Sequence, residues 1–338
     1  MSRRRAGLAA AAAMLAALGA AGAGGAELVS RDVFLMGTRA TLSAWAPDRR
    51  AGLDSLDAAL RVLEAAEAEL STWREDSAVS RLNRQPIGRP FALGDALCAS
   101  LADIFVWHAA TAGTFDPAIG RLTDAWGIHA AGRVPPDPIL REARAASGLG
   151  LLEFDRAGCE VTRLAPVTLD VGAFGKGDAL DRAARALGDT SWMIDLGGQI
   201  AARGAPPGER GWGVAVAHPL RRDRPHLHLA LGGGSLATSG GSERDLVAGS
   251  RRVGHVLDPR SGRPAAFGGS VSVWHPRAIV ADMLSTALFV MGPDEGLAWA
   301  EARGIAATYL VPASDGDVMA QSTTAWRVPG GPLLTARE

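Results

Sequence analysis

Residues 254–292 read GHVLDPRSGRPAAFGGSVSVWHPRAIVADMLSTALFVMG. A short apolar run carries His255 and Asp258 into a Pro and Gly turn, a second strand follows at 270–274, and a helical pattern begins at 279. Asp282 and Thr286 are four residues apart on that helix and share one face. Ala281, Met283, Leu284, Ala287, Leu288 and Phe289 surround them, so the helix reads as largely buried. A carboxylate on a buried helix is costly unless something cationic meets it. Two arrangements satisfy that demand. Carboxylate and hydroxyl oxygens suit a hard ion such as Mg2+. Alternatively, Asp282 pairs with an arginine and Thr286 bonds back to its own turn.

The flanking sequence extends the strand-then-helix order. Upstream, strands are predicted at 212–217, 227–231, 235–238 and 254–257. Downstream, a second helix is predicted at 294–303 and a strand at 306–311. The N-terminal half reads differently. Residues 33–45 alternate enough to be a strand after a Met36-Gly37-Thr38 turn, and an amphipathic helix spans 53–70. Asp76 and Ser77 start a short turn or helix through Asn83, and helices follow at 94–112, 139–147 and 178–187. Residues 113–127 read as irregular, 161–171 as a strand, and 192–196 as a strand closed by Gly197-Gly198. Helices first, then many short strands, then helices imply an α+β fold rather than a doubly wound βαβ sheet.

With 338 residues, 47% of them hydrophobic, the chain can bury a sizeable core as one large or two intimately joined units. The net charge of −1 gives no basic surplus, which argues against nucleic acid as a partner. Cys98 and Cys159, the only cysteines, can pair or stay free, and two isolated thiols build no Cys-based zinc site. Of the 35 Lys and Arg residues only Lys176 is a lysine, a position that chance or the need for a compact ammonium would explain. Residues 1–26 read as a cleaved export signal: Arg3–Arg5, an Ala/Leu-rich core at 8–18 too short to span a bilayer, then small residues. No cysteine follows that core for lipid attachment, and the export route, general or twin-arginine, stays open.

Four other segments invite chemistry. Asp170 leads into the glycine-rich turn GAFGKG at 172–177 and then a helix, an arrangement that favours phosphate or is simply a turn. It matches neither a Walker loop nor a dinucleotide fingerprint. Thr114-Phe115-Asp116-Pro117 is a turn capped by Asp116 or a ligand loop. Thr238–Ser242 lacks the GxSxG elbow of a nucleophilic serine and reads as a loop between strands. His226 and His228 share one face of a strand, and a solvated face is the simpler account of them than a metal site.

In their order along the chain, these segments resemble the FAD:protein FMN transferase, or ApbE, family. The resemblance rests on MGT at 36–38, STWREDSAVSRLN at 71–83, GTFDPAIGRLTDAWG at 113–127, LDVGAFGKGDALDRA at 169–183, IDLGGQIAARG at 194–204, LATSGGSER at 236–244, GHVLDPRSGRP at 254–264, and the strand and helix at 270–292. It implies an exported bacterial enzyme that cleaves FAD with Mg2+ and transfers FMN to a Thr or Ser hydroxyl of a partner protein, releasing AMP. Implied acceptors are subunits of membrane redox complexes and other exported flavoproteins. The implied fold is α+β, related to the T-fold, with mixed or antiparallel sheets and flanking helices. Residues 27–338 would form one domain of two packed halves, periplasmic and at most peripheral to a membrane.

By matching motif, Met36 and Trp73 would line the FAD, and Thr114, Phe115 and Asp116 would hold it through their loop. Asp170 and Lys176 would bind the nucleotide, with Leu257 beside it. Asp282, Thr286 and the Ala173 carbonyl would hold Mg2+, and His255 would be the catalytic base. The sequence departs from the family pattern at Trp73, where Tyr is common, at Gln199, where Asp often follows the Gly pair, and at Ser261 in DPRSG. A pyrophosphatase using water on the same site, and a flavin-binding protein without catalysis, are the alternatives.

Overall fold

The computed structural model describes residues 26–241, 246–248, 251–313, 317–327 and 333–334. The leader up to residue 25, and Ser242, lie outside the described residues.

The chain opens with a hairpin of β1 (Glu27–Leu35) and β2 (Thr38–Ala46). Met36 (φ 50°) and Gly37 (φ 70°) form its two-residue turn, whose left-handed backbone matches the twist of the flanking strands. The expected strand at 33–45 is therefore two strands. Asp48 caps α1 (Arg49–Leu70) by accepting from the Ala51 N–H. This helix buries Gly52, Leu56, Ala59, Leu63, Ala66 and Leu70, one stripe at helical spacing. Ser77 caps α2 (Ala78–Arg84) in the same way. Next come β3 (Pro90–Ala92), α3 (Asp95–Ala110), α4 (Gly120–Trp126), α5 (Asp137–Ala145), β4 (Leu152–Asp155), β5 (Glu160–Arg163) and α6 (Gly175–Leu187).

The C-terminal half is richer in strands: β6 (Ser191–Leu196), β7 (Gln199–Arg203), β8 (Trp212–Ala217), β9 (Pro225–Leu231), β10 (Gly233–Gly240), β11 (Leu246–Ala248), β12 (Arg251–Val253), β13 (Leu257–Asp258), β14 (Arg263–Pro264) and β15 (Ser270–His275). It closes with α7 (Ala278–Glu301), β16 (Ala306–Pro312), β17 (Val318–Ser322) and β18 (Leu333–Leu334). Eight strands form one sheet in the order β1-β2-β6-β7-β10-β15-β16-β17. Every neighbouring pair in it is antiparallel. The fold is thus α+β, as the order of patterns implies.

Strand alternation divides the core. On one face of the sheet, Leu42, Ala44 and Ile194 pack with Leu56, Leu63 and Leu180 of α1 and α6. Farther along, Val271, Val273 and Tyr309 pack with the buried first half of α7. The opposite face, through Ala202, Leu236 and Leu310, meets Trp212, Val214 and Leu229 of β8 and β9, and Trp326. Among the described residues no helix is long and apolar enough to cross a membrane.

Three further expectations need correction. The strand at 161–171 ends at Arg163, because the peptide groups beyond it bond elsewhere. Thr168 and Asp170 bond to Gly120 and Pro117, and Leu169 exchanges hydrogen bonds with the Asn83 side chain. Residues 113–127 are not wholly irregular, since 120–126 are helical. At 254–257, strand pairing is confined to Leu257 and Asp258, which oppose Pro264 and Arg263, and His255 sits in the bend before them. The two helices expected at 279–291 and 294–303 are present as α7, broken at Gly292 (φ 77°, ψ 175°) just before Pro293.

Cys98 and Cys159 are joined as a disulfide. It ties α3 to the turn between β4 and β5 and closes a segment that contains α4, α5 and the loop at 114–117. Closing a loop of this length stabilises a fold by about 4 kcal/mol on the chain-entropy account. Cys98→Ser should lower the unfolding free energy by that order in denaturant titration. Loss of less than about 1 kcal/mol would show that the cross-link is incidental.

Candidate active site

The site begins with a close approach between two helices. The glycine-rich segment expected to precede a helix at 178 is already helical from Gly175. A Cβ on Gly177 would fall 2.4 Å from the Ala278 carbonyl oxygen and 2.6 Å from the Ile279 Cα. No side chain fits there, so α6 and α7 touch backbone to backbone. Asp181, one turn along α6, caps α7 by accepting from the N–H groups of Ala278 (2.6 Å) and Ile279 (3.1 Å). Burial raises the pKa of its carboxyl, an effect these two hydrogen bonds only partly offset.

This contact places Asp282 opposite the first turn of α6. Its carboxylate accepts from the Gly177 N–H at 3.0 Å and faces the Lys176 ammonium at 3.4 Å. Asp282 is only 4% exposed, so this compensation is what makes an ionised carboxylate tolerable there. Its partner is the single lysine rather than an arginine. One turn farther, the Thr286 hydroxyl makes no hydrogen bond among the described residues and faces the same cleft. The helix-internal account of the Asp282–Thr286 pair is therefore not the one the fold adopts.

The cleft gathers Thr114, Phe115, Asp116, Asp170, Ala173, Lys176, His255, Leu257, Asp282 and Thr286 on its walls. Met36 and Trp73 are not on those walls. Trp73 is 73% exposed and lies edge-on to His129, with ring centroids 5.6 Å apart. Met36 donates its N–H to Glu67, and its side chain abuts the start of α6. The hairpin turn Gly197-Gly198 brings Gly197 and Gln199 to the cleft, beside Ala237, Thr238 and Ser239 of β10.

The loop at 114–117 is held from within. Asp116 accepts from the Ala118 N–H (2.8 Å) and the Leu149 N–H (2.9 Å), and meets His108 at 3.4 Å. Burial raises its pKa, against the pull of these hydrogen bonds and the His108 charge. The carboxylate thus shapes the loop, and what the loop offers a ligand is mainly its backbone, since the Phe115 side chain is buried in the core. Asp258 bonds to Arg260 at 3.0 Å and organises its own turn. His226 lies against His218 in an edge-on ring contact.

His129, which no sequence spacing singles out, lies 2.6 Å from Asp170, and both line the cleft. Burial pushes the Asp170 carboxyl up, but hydrogen bonds from His129, Gly172 and Thr123 and the His129 charge outweigh it and hold the pKa below the usual range. A depressed carboxyl contributes stability that is present above the unfolded-state pKa of about 3.9 and is lost as pH falls through the folded one. Asp170→Asn should therefore reduce the unfolding free energy at neutral pH and flatten its fall below about pH 4. An unchanged acid limb in denaturant titrations across pH 2–6 would contradict the assignment.

Which residues could hold a metal follows from the donor set. Among the described residues no group of three His, Cys, Asp or Glu side chains is arranged for one. Of the three carboxylates on the cleft walls, Asp116 is engaged by its own loop and Asp170 by His129 and Gly172, which leaves Asp282 with the Thr286 hydroxyl and the backbone of Ala173. An all-oxygen set with one carboxylate suits Mg2+, which keeps waters and takes further oxygens from substrate phosphates.

Comparison with known proteins places this cleft in context. The model of the ApbE family matches residues 36–309. The chain is 30% identical over 265 residues to a Vibrio cholerae protein named FAD:protein FMN transferase, covering 76% of this chain and 79% of that one. It is also 30% identical over 306 residues to the FAD:protein FMN transferase of Treponema pallidum, covering 84% of each. Among solved structures, the apo form of Pseudomonas stutzeri flavinyl transferase ApbE superposes with a TM-score of 0.80 at 30% identity, covering 89% of this chain and 96% of that one.

Proposed function

The chain belongs to the ApbE family, and from that premise we propose that it transfers FMN from FAD to a Thr or Ser hydroxyl of an acceptor flavoprotein, with Mg2+ and with release of AMP. The observation that carries this is one cleft holding His255, the Lys176–Asp282 pair and the oxygens of Ala173 and Thr286. The relatives' shared name, FAD:protein FMN transferase, supplies the reaction.

The acceptor oxygen attacks the phosphorus of the FMN half. The phosphoester bond forms, the bond from that phosphorus to the bridging oxygen breaks, and AMP leaves with the electron pair. His255 takes the hydroxyl proton. A neutral imidazole suits this as a general base, and base assistance is typically worth about 10²–10⁴-fold. The Lys176 ammonium sets positive charge beside the phosphates, which otherwise repel the incoming oxygen. Asp282, Thr286 and the Ala173 carbonyl would hold the Mg2+, which supplies charge neutralisation and polarisation of the phosphoryl group. The Asp116-braced loop and Leu257 form cleft walls that orient the flavin nucleotide.

Export supports a partner outside the cytoplasm. The basic, apolar and small-residue order of residues 1–26 fits a cleaved signal, with 27–338 as one mature domain. The Cys98–Cys159 disulfide suits an oxidising compartment such as the periplasm. Acceptors there would be exported flavoproteins or subunits of membrane redox complexes.

Intact-mass spectrometry of protein, FAD, Mg2+ and an acceptor fragment is the test. An FMN-sized mass gain on the acceptor with stoichiometric AMP is expected. His255→Ala should keep FAD affinity and slow transfer about 10²–10⁴-fold, and Asp282→Ala should abolish the Mg2+-dependent part. AMP without a mass gain would make the protein a pyrophosphatase, and no FAD turnover would leave a flavin binder.

A further inference from the structure

Gln199 is 2% exposed and lines the cleft, and its two amide atoms differ in their circumstances. Nε2 donates to the Ala278 carbonyl at 2.9 Å and to Ser235 Oγ at 3.4 Å. Oε1 is buried and has no hydrogen-bond partner. The Ala278 carbonyl fixes this orientation, since a reversed amide would set two acceptor oxygens against each other. A buried acceptor without a donor is unfavourable and uncommon in native proteins. Nε2 is committed to the protein, so Oε1 is the amide atom of this cleft-lining side chain left with acceptor capacity to spare.

The same carbonyl locates Gln199 within the site. Ala278 O is the atom that a Cβ on Gly177 would strike, and Lys176 and Asp282 flank that contact. Under the proposed function, which this inference rests on, the pyrophosphate lies beside Lys176. On either side of a flavin pyrophosphate are hydroxylated chains, ribityl on the FMN half and ribose on the AMP half. We infer that Gln199 is a substrate-positioning residue whose Oε1 accepts a hydrogen bond from a sugar or ribityl hydroxyl flanking the pyrophosphate. The donated hydroxyl completes the amide's hydrogen bonding and fixes the nucleotide's register along the cleft.

The test is ligand affinity measured beside stability. Dissociation constants for FAD, FMN and ADP are determined calorimetrically for the wild-type protein, Gln199→Met and Gln199→Asn. Met keeps the volume and removes the acceptor, while Asn keeps the amide and withdraws it by one methylene. Both variants should bind FAD at least about fivefold more weakly, the effect of leaving one hydroxyl unpaired. A parallel loss for FMN alone assigns the ribityl chain, and a loss for ADP alone assigns the ribose. Lowered unfolding midpoints with all three affinities within about twofold of wild type would make Gln199 purely structural and overturn the inference. A wild-type protein that does not bind FAD would overturn the proposed function as well.

Discussion

Gly177 touches the Ala278 carbonyl because it has no side chain, and the site depends on that contact. Asp282 is then one helical turn from the point of closest approach, within reach of a backbone N–H and an ammonium from α6. Moving α7 outward by the width of a methyl group would separate both donors from the carboxylate. The buried charge would then lack compensation, at a cost of several kcal/mol. Asp181 and Gln199 reinforce the contact from two sides, the first capping α7 and the second bonding to the same Ala278 carbonyl. A single interhelical approach therefore positions the carboxylate, the lysine and the amide together.

Another part of the cleft wall is built by different means. It comes from the loop at 114–117, His129 and the segment at 168–172, which have little regular structure. Asp116 spends its carboxylate on Ala118, Leu149 and His108, Asn83 clips Leu169, and the disulfide ties the surrounding segment to α3. Irregular chain here owes its order to side-chain hydrogen bonds and a covalent cross-link, whereas the Lys176–Asp282 wall owes its order to helix packing and the central strands β7 and β10.

This difference explains how much could be read in the sequence. Periodicity exposed α1, α7 and the late strands because their burial repeats with the period of the backbone. The Asp282–Thr286 spacing was legible for the same reason. The partner of Asp282 was not, since Lys176 is 106 residues away and only the fold brings them together. His129 and Asp170, and Gln199 and Ala278, are likewise separated by long stretches of chain with no local signature. The strand at 199–203 was hidden by the Gly197-Gly198 pair, which reads as a terminus but is a left-handed hairpin turn (φ 59° and 86°). Motif order supplied the family resemblance, including residues such as Ala173, whose proposed role is through a backbone atom and carries no side-chain signal. The same motif transfer assigned Met36 and Trp73 to the flavin; the fold sets Met36 against α6 and leaves Trp73 exposed beside the cleft-lining His129.

The most direct measurement is an FAD titration of Gly177→Ala in Mg2+, with circular dichroism to establish that the variant is folded. Small-to-large changes at a packed contact typically cost about 1–3 kcal/mol, which leaves the rest of the core to hold the fold. With α6 and α7 forced apart, the Lys176–Asp282 pairing is lost, and FAD affinity should fall at least about tenfold, equivalent to about 1.4 kcal/mol. A folded Gly177→Ala protein with wild-type FAD affinity would contradict the claim that this helix contact assembles the site.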